Sequence, residues 1–311
     1  MGDTRKLPVR LRRTPLPPVI PAQAGIQSKG AMNRAPMRLH NTPCTKLRLA
    51  HQRQSPPPPS APQTLCYHGA TMMDKLVEGA RQLALPLTAH QLDQFQTYYE
   101  HLVDWNRRVN LTAITNYEEV QVKHFVDSLT IVLALEGSAW VNGSFALLDI
   151  GTGAGMPGIP LKIVHPDARL VLLDSVAKKT AFLRHIVKEL GLEGVEILTQ
   201  RAEEIGHLAE YRETFDLVVC RAVSQLATVA ELTLPFCRIG GIAVVPKKAG
   251  IQRELSDATQ AIDTLGGKLK SVREVTIKGL EHHLLVVLEK TSMTPPAYPR
   301  RPGIPAKRPL H

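Results

Sequence analysis

The stretch Leu147-Leu148-Asp149-Ile150-Gly151-Thr152-Gly153-Ala154-Gly155-Met156-Pro157-Gly158 runs an apolar segment directly into four glycines within eight positions. A short apolar run that ends in a turn signal reads as a buried strand. The glycines let the following loop adopt positive φ and let a ligand approach its bare N–H groups. This feature restricts the chain to an α/β fold with a small-molecule site at the carboxyl end of a buried strand.

The flanking pattern extends that reading. Strand-like runs are expected at 145–150, at Arg169–Leu173 ending in Asp174, and at 195–199, 215–220 and 242–245. Helices lie between them. Lys178–Leu190 is amphipathic through Phe182, Ile186 and Leu190 and is stopped by Gly191, and Gln252–Leu265 is closed by Gly266-Gly267. Five βα units in series imply a parallel, doubly wound sheet. The last two runs, Lys268–Ile277 and His282–Glu289, are separated by four residues, too few for a crossover helix, so they pair antiparallel.

Helical periodicity precedes the first strand, over Asp74–Leu83 and again from Thr88. Thr88-Ala-His-Gln91 has the form of a capping box, and Leu92, Phe95, Tyr99, Leu102 and Val109 fall near one face. Trp105 closes this stripe as a core residue. A further helix carries Lys123, His124, Asp127 and Ser128, and the i, i+3 spacing suits a hydrogen bond between His124 and Asp127.

The net charge of +10 suggests nucleic acid until its distribution is read. Residues 1–72 hold 11 Lys/Arg, one acid and half of the 24 prolines; residues 73–290 hold 23 Lys/Arg against 27 Asp/Glu. The core is therefore slightly acidic, and an electrostatic case for RNA rests on local patches. Four divisions follow: a disordered basic Pro-rich extension (1–72), an N-terminal helical subdomain (73–128), a cofactor-binding domain (129–290) and a basic C-terminal tail (291–311). Composition favours an incidental extension, such as an upstream start before Met72-Met73, over a working arm. No run of 18 apolar residues and no signal-peptide pattern occurs, and Cys44, Cys66, Cys220 and Cys237 lack metal or disulfide spacing, so a cytoplasmic, metal-free, monomeric protein is expected.

Ligands of open parallel sheets sit beyond the carboxyl ends of the strands. That edge gathers Gly151, Gly153, Gly155 and Met156 after the first strand, Asp174 after the second, Ala202 and Glu203 after the third and Arg221 after the fourth. The loop would hold a ligand against its N–H groups, Asp174 would accept from a ribose diol, and Ala202 and Glu203 would flank an adenine. Gly153-Ala-Gly155-Met-Pro-Gly158 also satisfies the dinucleotide pattern G-x-G-x-x-G. Asp149 weighs against that cofactor, because an acid there would repel a pyrophosphate and help hold the cationic aminoacyl end of S-adenosylmethionine. The closing hairpin is a methyltransferase feature as well.

On these residues, and on Trp105–Thr112, His124–Ser128, Asp149–Leu161, Leu173–Leu183, Arg201–Glu203, Arg221-Ala222, Lys247 and the run Tyr298–Pro309, the chain resembles the RsmG (GidB) family of bacterial 16S ribosomal RNA guanine-N7 methyltransferases over residues 73–311. The resemblance implies a class I methyltransferase fold, Rossmann-like, with a mostly parallel seven-stranded sheet and an antiparallel last strand. It implies S-adenosyl-L-methionine as cofactor, bound through Gly151, Met156, Ala202, Glu203 and Arg221, and N7 of guanine 527 in the 16S rRNA of the small subunit as target. Guanine N7 carries no proton, so no general base is needed, and positioning suffices. The Asn/Asp-Pro-Pro-aromatic run of amine methylases is absent from Cys220-Arg221-Ala222-Val223, and Cys220 reads as a small buried hydrophobe rather than a nucleophile.

No catalytic residue is assigned beyond Arg221 and Lys247 as positioning candidates. Arg107, Arg108, Lys123, His124, Lys248, Arg300, Arg301 and Lys307, with Arg308, are candidates for an RNA track. Truncation after Glu289 is expected to spare cofactor binding and reduce RNA methylation. The competing readings are an NAD-dependent oxidoreductase, which would need a Tyr/Lys or His/acid set not found near the pocket, and a non-catalytic ribosome-assembly factor.

Overall fold

The computed structural model describes residues 73–138, 143–221 and 224–311, which belong to one compact unit; the expected disordered extension over 1–72 lies outside the described residues. The amino-terminal part comprises α1 (Asp74–Gln82), α2 (Ala89–Asn106), α3 (Tyr117–Val120), a π-helical segment (Gln121–Val126), α4 (Asp127–Leu129) and a 3₁₀ turn (Thr130–Ala134). Strands and helices then alternate: β1 (Ala146–Ile150), α5 (Gly158–Val164), β2 (Arg169–Leu173), α6 (Ala177–Glu189), β3 (Val195–Leu198), α7 (Ala202–Ile205), β4 (Phe215–Val219), α8 (Leu226–Thr233), β5 (Cys237–Lys248) and α9 (Gln252–Thr264). The hairpin β6 (Gly267–Glu274) and β7 (His283–Lys290) follows, and α10 (Ile304–Lys307) lies in the tail.

The seven strands form one sheet in the order β3-β2-β1-β4-β5-β7-β6. β1 runs parallel to both β2 and β4, and β7 runs antiparallel to β5 and β6. This is the Rossmann-like arrangement of class I methyltransferases. The strand order reverses direction beside β1, and a crevice opens at that switch point. Alternation divides each strand between two cores. Leu147, Leu170, Leu172, Leu217 and Val219 face one, while Leu148, Ile150, Val171, Leu173 and Val218 face the other.

The amino-terminal helices cover the first face together with α5 and α6. Phe95, Leu102, Phe125, Ile159 and Phe182 share one buried cluster, so the helical region has no core separate from the sheet. The capping box on α2 forms as expected, with Thr88 and Gln91 exchanging hydrogen bonds. The expected apolar face needs one correction: Tyr98, not Tyr99, is buried with Phe95 and Leu102. Trp105 packs on Phe182 at 5.6 Å between ring centroids, a core contact. β5 also begins five residues earlier than its apolar run, because Gly241 lies where a Cβ would come within 2.8 Å of Phe215 O, and the bare backbone keeps the ladder intact.

The tail is strapped onto the domain. Lys290, fully buried, pairs with Glu213 at 2.9 Å, and Arg212 donates to the carbonyls of Thr294 and Tyr298. Arg300 forks onto Glu231, with Nε and Nη2 at 2.9 and 2.6 Å, and Gly303 N donates to Glu203 Oε1 at 2.9 Å. Truncation after Glu289 would therefore also remove the partners of three carboxylates, Glu213, Glu231 and Glu203.

Candidate functional site

Asp149 organises the glycine loop from behind. It is fully buried, and its Oδ2 accepts the Thr152 hydroxyl at 2.6 Å and the Gly158 N–H at 2.8 Å. Oδ1 has no hydrogen-bond partner among the described residues, and burial pushes the carboxyl pKa up to about 6. Gly158 must lack a side chain, since a Cβ would come within 2.8 Å of Asp149 Oδ2. Gly155, at φ +96°, is closed off by Ile159 and by the Tyr98 hydroxyl. That hydroxyl donates to Ala154 O at 2.5 Å and pins the loop to α2.

The loop's own N–H groups are largely consumed within the protein. Gly151 N and Thr152 N donate to Leu173 O, Gly155 N and Met156 N to Thr152 O, and Gly153 N to Asp174 Oδ2 at 3.0 Å. With Gly158 N on Asp149, the donors that the sequence reading reserved for a ligand are already occupied. Asp174 accepts from Val176 N as well, at 2.9 Å, so each of its oxygens keeps only its remaining lone pairs for a ribose.

A cavity of about 180 Å³ opens in front of this loop, lined by Gly151, Thr152, Gly153, Ala154, Met156, Arg221, His124, Leu111 and Thr112. Of the cofactor candidates, Gly151, Gly153, Met156 and Arg221 line it, and Asp174 touches its edge through Gly153. Gly155 is packed behind it. Ala202 and Glu203 stand buried at the start of α7, outside the lining, with Glu203 held by the tail. Leu111 and Thr112, from the α2–α3 loop, were matched by motif and given no role by the sequence reading. Tyr98 was missed as well, although its i+3 spacing from Phe95 on the apolar face of α2 carried the signal.

The expected hydrogen bond between His124 and Asp127 does not form. The π-helical segment widens the turns between them, so the two side chains leave the helix in different directions. His124 Nε2 meets Thr112 Oγ1 at 2.8 Å, while Asp127 Oδ2 accepts from Arg221 Nη1 and Oδ1 from His283 Nδ1, both at 3.0 Å. Burial first, then the neighbouring Arg221 charge, lowers the His124 pKa to about 4. His124 is therefore neutral at physiological pH and is not a phosphate-binding cation.

Two further basic candidates are committed inside the protein. Lys247 Nζ donates to Glu254 Oε1 at 2.6 Å and to Ser224 O at 2.5 Å, away from the cavity. Arg300 is held by Glu231. Arg107 and Arg108 cap α2 beside Asp104, with Arg108 also over the Trp105 ring, and Lys123 pairs with Glu119. These three are exposed, as are Lys248, Arg301, Lys307 and Arg308. Among the described residues no cluster of His, Cys, Asp or Glu could hold a metal ion, and no helix is long and apolar enough to cross a membrane.

Comparison with known proteins places this architecture in a family. The family model described as rRNA small subunit methyltransferase G matches residues 91–285. The ribosomal RNA small subunit methyltransferase G of Dehalococcoides mccartyi (strain ATCC BAA-2100 / JCM 16839 / KCTC 5957 / BAV1) is 51% identical over 239 residues, 76% of this chain and 100% of that protein. The protein of the same name from Roseiflexus sp. (strain RS-1) is 47% identical over 77% of this chain and 100% of its own length, and that of Alkaliphilus metalliredigens (strain QYMF) is 42% identical over 76% and 97%. With a match across the sheet, the glycine loop and the Asp127–Arg221 wall, the chain belongs to the rRNA small subunit methyltransferase G family.

Proposed function

We propose that the protein methylates N7 of a guanine in 16S ribosomal RNA of the small subunit, guanine 527 by family resemblance, with S-adenosyl-L-methionine as methyl donor. The observation that carries the choice of donor is the glycine loop. A dinucleotide pyrophosphate needs free N–H groups at the loop and the following helix. Here the Asp149 carboxylate fills that anion slot, and the N–H groups of Gly151, Thr152, Gly153, Gly155 and Met156 are bonded internally. What remains is carbonyl and carboxylate oxygen beside an open cavity, a set of acceptors suited to a ligand that carries a sulfonium and an ammonium. A Cβ at Gly151, φ +67°, would meet no protein atom within 4 Å, leaving room at the cavity wall for such a ligand.

Gly151, Gly153, Met156 and Asp174 would hold the cofactor, with Ala202 and Glu203 toward its adenine. Held there, S-adenosylmethionine would supply an electrophilic methyl group whose bonding electron pair stays with sulfur, so that methylation at N7 would leave the positive charge on the guanine. No proton moves, so the residues at the cavity have no acid–base task. Neutral His124 adds no charge near the product. Thr112, Leu111 and Arg221 line the cavity, and Arg221 would join the residues that hold the cofactor. Arg107, Arg108, Lys123, Lys248, Arg301 and Lys307 remain on the surface for phosphate contact.

Calorimetry with S-adenosylmethionine and NADH, followed by methyl incorporation into undermethylated small subunits and mapping of 7-methylguanine, tests this reading. Binding of the former and a single 7-methylguanine are expected. Binding of NADH alone, or methylation at another base position, overturns it.

A further inference from the structure

Glu203, in the first turn of α7, is a buried carboxylate with one oxygen unspent. The residue is 8% exposed, and its Oε1 accepts the Gly303 N–H at 2.9 Å. Among the described residues no hydrogen bond or ion pair reaches Oε2. A carboxylate this deeply buried, with one neutral donor and no cation, marks a place where a further donor belongs. Its position on the sheet edge narrows what that donor is. β3, which delivers α7, lies beside β2, which delivers Asp174, and β2 lies beside β1, which delivers the glycine loop. The tail also grips the far end of α7. Arg212 Nη1 donates to Gly206 O and to Tyr298 O, both at 2.8 Å, His207 Nε2 lies 2.7 Å from Pro299 O, and a Cβ at Gly206 would come within 2.8 Å of the Pro299 ring.

We propose that the tail is part of the cofactor site: Gly303 is a positioning residue that engages Oε1 of Glu203 and so leaves Oε2 to accept the exocyclic amine of the adenine. This inference rests on the proposed S-adenosylmethionine reading. A carboxylate accepts and does not donate, so it matches the amine of adenine and opposes the carbonyl oxygen that replaces it in hypoxanthine. Gly303 holds φ +79°, a conformation that Asn tolerates and a β-branched residue does not, and a Cβ there would meet no atom within 4 Å. Backbone conformation, not space, therefore keeps the N–H on Glu203. The tail thus serves the cofactor, and its removal lowers cofactor affinity as well as stability.

The test compares calorimetric binding of S-adenosylhomocysteine and S-inosylhomocysteine, which differ at that amine, to the full chain and its variants. The wild type is expected to favour the adenine ligand at least about tenfold. In Glu203→Gln the amide oxygen takes the Gly303 N–H and the amide nitrogen faces the base, so the preference should fall at least about tenfold, toward the hypoxanthine ligand. Gly303→Val should lower affinity for S-adenosylhomocysteine about five- to tenfold and shrink the preference, and Gly303→Asn should restore most of both. A tail that acts only as a strap would weaken both ligands in the same proportion. Equal binding of the two ligands by the wild type, an unchanged preference in Glu203→Gln, or matching behaviour of Gly303→Val and Gly303→Asn overturns the inference. If Gly303→Val fails to fold, Glu203→Gln decides it. Wild-type protein that binds neither ligand refutes instead the cofactor reading on which the inference stands.

Discussion

Removing the Arg300 side chain should destabilise the protein far more than removing an arginine of the presumptive RNA track. Glu231 lies on α8 with no exposure, and Arg300 covers it with Nε and Nη2 while its backbone N–H donates at 2.8 Å. Arg300→Ala strands a buried carboxylate with a single backbone donor, a loss of about 3–5 kcal/mol. The Arg300 side chain is 25% exposed, so water reaches part of the site and the lower end, about 3 kcal/mol, applies. At roughly 2–4 °C per kcal/mol for a domain of this size, Tm should fall by about 6–12 °C. Arg108→Ala is the internal control: its pair with Asp104 is 65% and 58% exposed and is worth less than about 1 kcal/mol. Both variants can be compared by scanning calorimetry and urea unfolding, with Arg300→Met/Glu231→Leu expected to recover most of the loss. An Arg300→Ala shift no larger than that of Arg108→Ala would refute the assignment of the tail as a structural strap.

Tyr98→Phe removes the donor to a buried carbonyl, and urea unfolding should show a loss of about 1–3 kcal/mol together with weaker S-adenosylmethionine binding in calorimetry. Gly155→Ala should cost more stability than Gly151→Ala, because its Cβ meets Ile159 at 2.5 Å whereas that of Gly151 meets nothing; Gly151→Ala should show its larger effect in cofactor affinity. Two opposed pH dependences are expected in stability. Asp149, raised from 3.8 to about 6, favours the folded state below pH 4 and loses that contribution as pH rises through 6. His124, lowered from 6.5 to about 4, contributes above pH 6.5 and loses it as pH falls through 4. Each displacement is worth about 3 kcal/mol, so urea unfolding of the wild type between pH 4 and 6.5 should be nearly flat from these two groups, and His124→Gln should expose a decline toward higher pH.

The sheet was legible in the sequence because strands buried on both faces read as continuous apolar runs, and because four residues between the last two runs admit only a hairpin. The expected strand 242–245 covers only the apolar part of β5, because the polar and glycine residues ahead of it carry no apolar run, whereas Gly241 is required by backbone packing against Phe215 and Asp216. At the site, the stretches that line the cavity were recognised, and the partners of their side chains were not. Spacing placed His124 beside Asp127 on an α-helical ruler, and a π-helical segment carries no local residue signature that would have revised it. Glu231, Glu213 and Glu254 were silent for a related reason. Their partners Arg300, Lys290 and Lys247 lie elsewhere in the chain, and a charge read singly looks like a solvated surface group until the fold supplies its counterion.

The glycine pattern shows the same limit in its sharpest form. Gly153-x-Gly155-x-x-Gly158 satisfies a dinucleotide signature, yet that signature records only where the backbone can turn and where a side chain would collide. It does not record whether the N–H groups so exposed are still free. Asp149 decides this: by accepting Gly158 N–H and the Thr152 hydroxyl at the head of α5, it turns a potential anion site into a filled one. The distinction predicts that Asp149→Ala, by vacating that slot, should lose affinity for S-adenosylmethionine without gaining affinity for NADH, since the neighbouring N–H groups stay bonded to Leu173 O, Thr152 O and Asp174. Calorimetric binding of NADH to that variant would show that the loop is adaptable and that its internal hydrogen bonds do not select the cofactor.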